Sequence, residues 1–214
     1  MSSWEKNPLS GHRVRSAGSA LRIIGGSLGG RRFGRPAPCT RPTSDRVREA
    51  AASIVLSRCD LAGAQVLDLF AGTGGYAFEF LSRGASQAVL IDRDARAVAD
   101  IQASALALGL SARIRVIRAE VGARRTISLL EGSRFQVVVV DPPYDGLFLG
   151  LDAMRQLAQA QCLEARAILI LEHRGQDAKV VEESVEVFRF SAVGLTLESQ
   201  HFYGDTGLTV FMAS

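Results

Sequence analysis

The feature of this sequence that most constrains its fold is an alternation of short β-branched runs with longer helical patterns, which starts at Gln65. The runs QVLDLF, AVLI, RIRVI, FQVVVV and RAILILE are rich in valine, isoleucine and leucine. Apolar strands separated by helices are typical of a parallel sheet that is buried on both faces. The alternation therefore predicts an α/β fold built on a mainly parallel sheet.

Two further apolar runs follow, VEVFRFSAV and LTVFMA, which we interpret as strands from about 185 to 193 and from about 207 to 212. No helix is predicted between these two runs. Consecutive strands joined in this way pair antiparallel. We therefore expect a hairpin at the edge of the sheet.

The length of 214 residues suits one domain of this class with a modest extension. We predict a mobile tail over residues 1–20, a basic arm and helix over 21–60, and the main domain over 61–214. No apolar run reaches the roughly 18 residues of a membrane span, and the first 20 residues lack the apolar centre of a signal peptide. A cytoplasmic protein is expected.

The three cysteines and three histidines are scattered along the chain. They form neither a CxxC pair nor an HExxH motif, so the sequence predicts no metal site and no redox site. A mechanism based on a serine–histidine pair has no support either.

Basic charge is concentrated near the start of the chain. Residues 1–60 hold 11 Lys or Arg against 4 Asp or Glu, while the remainder holds 14 against 18. Most of the basic residues are arginines, whose planar guanidinium suits bidentate phosphate contacts. We therefore expect a polyanionic partner, bound by Arg22, Arg31, Arg32, Arg41, Arg46 and Arg48. For Arg46 and Arg48, a structural pairing with Asp45 or Glu49 is a competing interpretation.

The segment that carries these arginines has two predicted parts. The glycine-rich stretch LRIIGGSLGGRRFGRP favours a tight hairpin or looped arm. The following stretch, TSDRVREAAASIVLSR, predicts a helix capped by Thr43 or Ser44. Its apolar face would consist of Val47, Ala51, Ile54 and Val55.

A glycine-rich turn follows the first strand of the main domain and reads DLFAGTGG from Asp68 to Gly75. Glycines allow a ligand to approach the backbone, and a helix N-terminus offers free N–H groups. A cofactor is therefore expected in this crevice. Nicotinamide and flavin enzymes use related turns, but the dinucleotide motif GxGxxG is absent because Ala77 occupies the third glycine position.

An acidic pair, Asp92 and Asp94, lies at the end of the second strand. A carboxylate at this point can accept hydrogen bonds from a ribose diol. We assign that role to Asp92 and expect Asp94 to cap the next helix.

The sequence Asp141-Pro142-Pro143-Tyr144 follows the apolar strand FQVVVV directly. Two prolines end the strand and stiffen the backbone, so the Asp141 carboxylate and the Pro142 carbonyl become fixed acceptors. The Tyr144 ring can stack on a flat base. The motif indicates a pocket for a planar molecule that carries an N–H donor.

These motifs resemble those of S-adenosylmethionine (SAM)-dependent methyltransferases with an (Asn/Asp)-Pro-Pro-(Tyr/Phe) motif. Within that group the chain is similar to the bacterial small-subunit ribosomal RNA guanine-N2 methyltransferases. The likeness runs from about 21 to 214 and rests on RIIGG with GRR (22–32), RPTSDRVRE (41–49), LDLFAGTGG with LSRGA (67–75 and 81–85) and DPPY (141–144). It implies a Rossmann-like fold with a seven-stranded, mainly parallel sheet and a terminal antiparallel strand.

The resemblance also implies roles for individual residues. The SAM loop would consist of Asp68, Phe70, Ala71, Gly72, Thr73 and Gly74. Asp92 would hold the ribose, and Glu120 with Val121 would lie beside the adenine. The target base would be bound by Asp141, Pro142 and Tyr144. The chain departs from the family pattern at Asp92, where glutamate is usual, at Gly75-Tyr76-Ala77, and at Ser104, where asparagine is common.

The expected reaction is methyl transfer from SAM to N2 of a guanine in ribosomal RNA, either naked or in a partly assembled small subunit. A monomeric enzyme is expected. Two alternatives stay open: an amine methyltransferase that acts on adenine in DNA, on another RNA or on a protein glutamine, and a nucleic-acid-binding module with a vestigial cofactor site.

Overall fold

The computed structural model of the chain describes residues 20–34, 44–143 and 145–214. The predicted tail lies outside these ranges except for its last residue. In the part of the chain that is described, no helix is long and apolar enough to cross a membrane.

The arm is a small hairpin that packs against the main domain. Strands β1 (Leu21–Arg22) and β2 (Arg32–Phe33) pair antiparallel, as the glycine-rich sequence predicts. Ile23 and Phe33 are buried in the same apolar cluster as helix α1 (Asp45–Leu56). The arm is therefore part of the folded body.

Helix α1 begins and packs as its sequence predicts. The Ser44 side chain accepts a hydrogen bond from the Val47 backbone N–H at 3.2 Å, which identifies Ser44 as the N-cap. The predicted apolar face is buried in full.

The main sheet has seven strands, and their order explains where a ligand can bind. The strands are β3 (Gln65–Leu69), β4 (Gln87–Asp92), β5 (Ile114–Arg118), β6 (Phe135–Val140), β7 (Leu163–Arg174), β8 (Leu195–Tyr203) and β9 (Thr206–Ala213). Their order is β5-β4-β3-β6-β7-β9-β8, and β9 is antiparallel to both of its neighbours. The chain extends the sheet in one direction from β3 and then in the other from β6. This reversal opens a crevice at the carboxyl ends of β3 and β6.

Helices cover both faces of the sheet and form an apolar core on each side. Besides α1, they are α2 (Gly75–Ser82), α3 (Ala95–Leu108), α4 (Arg124–Ser128), α5 (Leu147–Gln159) and α6 (Ala178–Val187). The arm, α1, α2 and α3 pack on one face, whereas α4, α5 and α6 pack on the other.

The predicted strand over about 185–193 is wrong, although the hairpin itself is confirmed. This segment forms the end of α6 and a short 3₁₀ turn (Phe190–Val193), and the strand is β8, which starts at Leu195. Val181, Val185 and Phe188 follow a helical spacing and face the second apolar core. Over a segment of only nine residues, a helical spacing of apolar residues resembles the alternation of a strand. The spacing alone therefore did not distinguish a helix from a strand.

Candidate functional site

The candidate site is a cavity of about 500 Å³ at the carboxyl ends of β3, β4, β6 and β7. It lies at the reversal of the strand order, where a parallel sheet of this type binds its ligands. Most of the residues that the sequence assigns to the cofactor line this cavity: Asp68, Phe70, Ala71, Gly72, Thr73, Asp92, Glu120 and Val121.

The glycine-rich turn has an irregular backbone, and its residues from Phe70 to Thr73 line the cavity. Phe70, Gly72 and Gly74 have positive φ angles of 61°, 53° and 75°. A positive φ is strained for phenylalanine, and such strain is often found at ligand-binding turns. Gly74 differs from the other predicted cofactor residues because a Cβ at its position would lie 3.0 Å from Phe78 Cε2, on the core side of the turn.

Asp68 fixes the start of helix α2 from below the turn. Its side chain is 1% exposed, and Oδ2 accepts a hydrogen bond from the Ala77 backbone N–H at 3.2 Å. Burial raises the pKa of Asp68 well above its usual value, and the charges of Asp141 and Asp92 raise it further. The carboxyl groups of Asp68, Asp92 and Asp141 therefore lie close enough to one another to interact.

Asp92 is oriented by two backbone donors. Its Oδ2 accepts from the Gly72 N–H at 2.8 Å, and its Oδ1 accepts from the Asp94 N–H at 2.8 Å. Asp94 itself caps α3 by accepting from the Arg96 N–H at 2.7 Å, as predicted. A carboxylate has about four acceptor positions, so the fixed Asp92 side chain can still receive hydrogen bonds from a diol.

The proline-rich turn forms the opposite wall of the cavity. Asp141 and Pro142 line it, and the Asp141 N–H donates to the Leu69 carbonyl of β3 at 3.4 Å. A Cβ on Gly150 of α5 would lie 3.2 Å from the Pro142 ring, so a larger residue there would press against the turn. Tyr144 lies outside the described residues.

Further side chains that the sequence did not single out for the cavity also line it, among them Tyr76, Glu172, His173 and Tyr203. The Tyr76 hydroxyl donates to Glu172 Oε2 at 2.6 Å. Burial, followed by the charges of Glu172 and Asp141, raises the pKa of Tyr76 well above its usual value. Glu172 could have been noticed, since it follows the apolar run AILIL in the sequence as Asp141 follows FQVVVV.

His173 joins two neighbouring strands beneath the cavity. Its ring nitrogens lie 2.7 Å from the Arg174 carbonyl and 2.8 Å from Thr209 Oγ1 of β9. A Cβ on Gly207 would collide with the ring. Burial lowers the pKa of His173 below its usual value.

The arginines predicted to bind RNA occupy different environments. Arg22, Arg31, Arg32 and Arg46 are exposed. Arg22 pairs with Asp45 at 2.8 Å, Arg31 donates to the Ala107 and Leu108 carbonyls at the end of α3, and Arg46 stacks over the Tyr203 ring. Arg41 lies outside the described residues.

Arg48 is 1% exposed and lines the cavity from inside the fold. Its guanidinium donates to the Arg22 carbonyl at 2.9 Å and to Asp45 Oδ1 at 2.8 Å. Of the two interpretations of Arg48, this geometry matches the structural pairing with Asp45.

Ser104 is bonded to the arm. Its hydroxyl accepts from the Gly34 backbone N–H at 3.1 Å. This departure from the family pattern lies on α3 and holds the arm to the main domain.

Comparisons with known proteins agree with this geometry. Residues 21–197 match the family described as "Conserved hypothetical protein 95". The chain is 30% identical over 193 residues to "Putative rRNA methyltransferase YlbH" of Bacillus subtilis, covering 89% of this chain and 98% of that protein. It is 38% identical over 132 residues to ribosomal RNA small subunit methyltransferase D of Escherichia coli, covering 60% of this chain and 63% of that protein.

A solved structure of similar shape comes from Escherichia coli and is described as "Putative methyltransferase yhhF". It has a TM-score of 0.70 and 27% sequence identity, and the match covers 91% of this chain and 98% of that chain. The likeness therefore extends over nearly the whole of both chains.

Proposed function

The chain belongs to the Conserved hypothetical protein 95 family, and from this premise we propose that it methylates N2 of a guanine in small-subunit ribosomal RNA, with SAM as the methyl donor. Relatives named as rRNA methyltransferases support the class of reaction and of substrate. The observation that carries the proposal is that the Asp92 turn and the Asp141-Pro142 turn face one cavity.

The residues of the cavity suit this donor. The Asp92 carboxylate can accept the hydrogens of a ribose diol, and the Gly72 region admits close approach of a ligand to the backbone. Glu120 and Val121 line the same cavity and would lie beside the adenine. Bound SAM would supply a methyl group on a sulfonium that leaves as a neutral thioether.

The proline-rich turn is proposed to make the nitrogen that accepts the methyl group a better nucleophile. The lone pair of a guanine exocyclic nitrogen is delocalised into the ring, which makes this nitrogen a poor nucleophile. Asp141 and the Pro142 carbonyl would hold its two hydrogens and so favour a pyramidal nitrogen whose lone pair points at the methyl carbon. The nitrogen–carbon bond forms as the carbon–sulfur bond breaks, and the methylated nitrogen then loses a proton to solvent.

The target base can reach the cavity only if it leaves the base stack of the RNA helix. Side chains at the sheet edge cannot reach an amine inside a helix, so the target nucleotide would be turned out into the cavity. The exposed arginines Arg22, Arg31, Arg32 and Arg46, with Arg41, are proposed to hold the surrounding phosphates. Arg48 is assigned to the fold instead, because its guanidinium is buried.

The test is transfer of labelled methyl from SAM to small-subunit rRNA and to partly assembled small subunits, followed by nucleoside analysis. We expect N2-methylguanosine as the labelled product. Label on adenine, or on a protein glutamine, would replace the proposed acceptor with one of the alternatives. Absence of saturable SAM binding in calorimetry would support the vestigial binding module.

A further inference from the structure

We propose that Glu172 determines which base is methylated, because its carboxylate accepts the N1–H of the target guanine. This inference rests on the proposed function and names the group that would enforce its choice of base. Glu172 would contact the substrate directly, and Tyr76 would act as a positioning residue for Glu172.

The first support is the position of Glu172 beside Asp141. Strands β6 and β7 are parallel, and their last registered pair is Val140 with Leu171. Asp141 and Glu172 each follow that pair by one residue, so their backbones lie on adjacent strands about 4.8 Å apart. Both residues line the cavity. A guanine whose amine is held by Asp141 can therefore turn N1, the ring nitrogen beside C2 that carries a hydrogen, towards Glu172.

The second support is the way in which Glu172 is held. The Tyr76 hydroxyl donates to Glu172 Oε2 at 2.6 Å, which is within the short range of hydrogen bonds to carboxylates. Tyr76 is 4% exposed, so its ring has little freedom to move. The burial that raises the pKa of Tyr76 keeps its hydroxyl protonated and donating. A carboxylate has about four acceptor positions, and the bond from Tyr76 occupies one of them.

The third support is the chemistry of the base edges. Guanine presents two adjacent donors, the N1–H and the N2 amine, and a pair of carboxylates offers only acceptors. Adenine and 2-aminopurine have a lone pair at N1 instead of a hydrogen. A carboxylate facing that lone pair repels it, so Glu172 would favour guanine and oppose the other two bases.

A clean test uses 2-aminopurine, which keeps the N2 amine of guanine but lacks the N1 hydrogen. Once the methylated nucleotide has been mapped by nucleoside and primer-extension analysis, two rRNAs are prepared by ligation, with guanine or 2-aminopurine at that position. Both are assembled into the form of substrate that the enzyme accepts. The measured quantity is the ratio of kcat/KM for the two substrates.

We expect wild-type enzyme to prefer guanine, and Glu172→Gln to lower that preference by about tenfold or more, since the glutamine amide can donate to the bare N1. Tyr76→Phe should lower the same preference by less, because the carboxylate remains but is no longer held. Glu198→Gln, an exposed glutamate on β8, is the matched control and should keep the wild-type ratio. SAM binding by calorimetry and thermal unfolding establish that each variant is folded.

The possible outcomes separate the two proposals. If wild-type enzyme produces N2-methylguanosine and Glu172→Gln lowers kcat/KM on both substrates equally, the specificity role of Glu172 is wrong and the proposed function stands. If the wild-type product is methylated on adenine, both proposals fall, since a carboxylate at N1 would then oppose the true substrate.

Discussion

At the scale of single residues, the cavity contains an unusual concentration of carboxylates. Asp68, Asp92, Asp141 and Glu172 all line it, and the buried Arg48 lies among them. The four carboxylates differ in their hydrogen-bond donors or in their positions in the cavity, so they cannot substitute for one another. Substitutions at these positions should therefore separate cofactor binding from chemistry.

Asp141→Ala should abolish methyl transfer and leave SAM binding largely intact, because we propose that the carboxylate holds the target amine and not the donor. Single-turnover transfer and calorimetry with SAM are the two measurements. Asp141→Asn is the matched variant, which keeps the shape and one acceptor and should retain part of the activity. Near wild-type turnover by Asp141→Ala would remove Asp141 from the mechanism.

Asp92→Ala should weaken SAM binding by about 1.5 to 3 kcal/mol for each ribose hydrogen bond that is lost. Asp92 also accepts from Gly72 and Asp94, so thermal unfolding is needed to measure any loosening of the turn. Asp94→Ala is the control, since it removes the cap of α3 without removing the Asp92 carboxylate, and it should lower stability by about 1 kcal/mol. An unchanged dissociation constant for Asp92→Ala would leave Asp92 with a purely structural role.

At the scale of secondary-structure elements, one buried carboxylate is among the groups that hold the arm to α2. Glu79 on α2 is 1% exposed and accepts from the Ile24 and Gly25 backbone N–H groups at 2.9 Å each. It also pairs with Arg83 at 2.7 Å. A single carboxylate thus satisfies two backbone donors of the arm and one buried ion pair.

Glu79→Gln should lower the free energy of unfolding by about 3 kcal/mol, because the amide nitrogen would face a backbone donor and the ion pair with Arg83 would be lost. Urea denaturation is the measurement. Glu182→Gln, exposed on α6, should change stability by no more than about 0.5 kcal/mol. Equal stability of Glu79→Gln and wild type would mean that the other contacts of the arm hold it without the Glu79 carboxylate.

His173, which joins β7 to β9, leads to a prediction for the pH dependence of stability. His173 is buried with a lowered pKa, so below about pH 6.5 the unfolded state binds a proton that the folded state does not. Stability contributed by the neutral ring is therefore present above this pH and is lost as the pH falls. His173→Gln should flatten the fall in unfolding free energy between pH 6.5 and 5, whereas His201→Gln on β8 should keep it. An unaltered slope in His173→Gln would assign the pH dependence to other groups.

Sequence patterns predicted most elements because their periods were unambiguous. The cofactor turn, the Asp94 cap and the proline-rich turn are encoded locally by glycine, aspartate and proline, and the structure places all three as expected. Residues such as Glu172 and Arg48 were missed or assigned differently, since their roles depend on which strand or helix lies next to them. The strand over 185–193 failed because a nine-residue segment satisfied both periods.

At the scale of the whole molecule, the fold determines on which side the basic residues of positions 1–60 lie. The arm and α1 pack on one face of the sheet and carry four exposed arginines, Arg22, Arg31, Arg32 and Arg46. Because Ile23 and Phe33 belong to the core, deletion of the arm would disturb folding as well as RNA binding. Single substitutions are therefore the appropriate test.

Arg32→Gln should lower RNA affinity and reduce the slope of log affinity against log salt by about 0.7 to 0.9, the value for one phosphate contact. SAM affinity and thermal stability should not change. Lys179→Gln removes the same charge from α6 on the opposite face and should keep the wild-type slope. Arg48→Gln should lower stability without this change in slope. A wild-type slope for Arg32→Gln would exclude that side chain from the RNA interface.

The position of β9 has a consequence for biosynthesis. Residues 206–213 are translated after β8 but lie between β7 and β8. Until they leave the ribosome, β7 has no partner on that side and β8 has no strand to join. A nascent chain paused before residue 206 would present an open, apolar strand edge, which is a hazard for aggregation. Closure of the sheet between β7 and β8 therefore depends on the synthesis of residues 206–213.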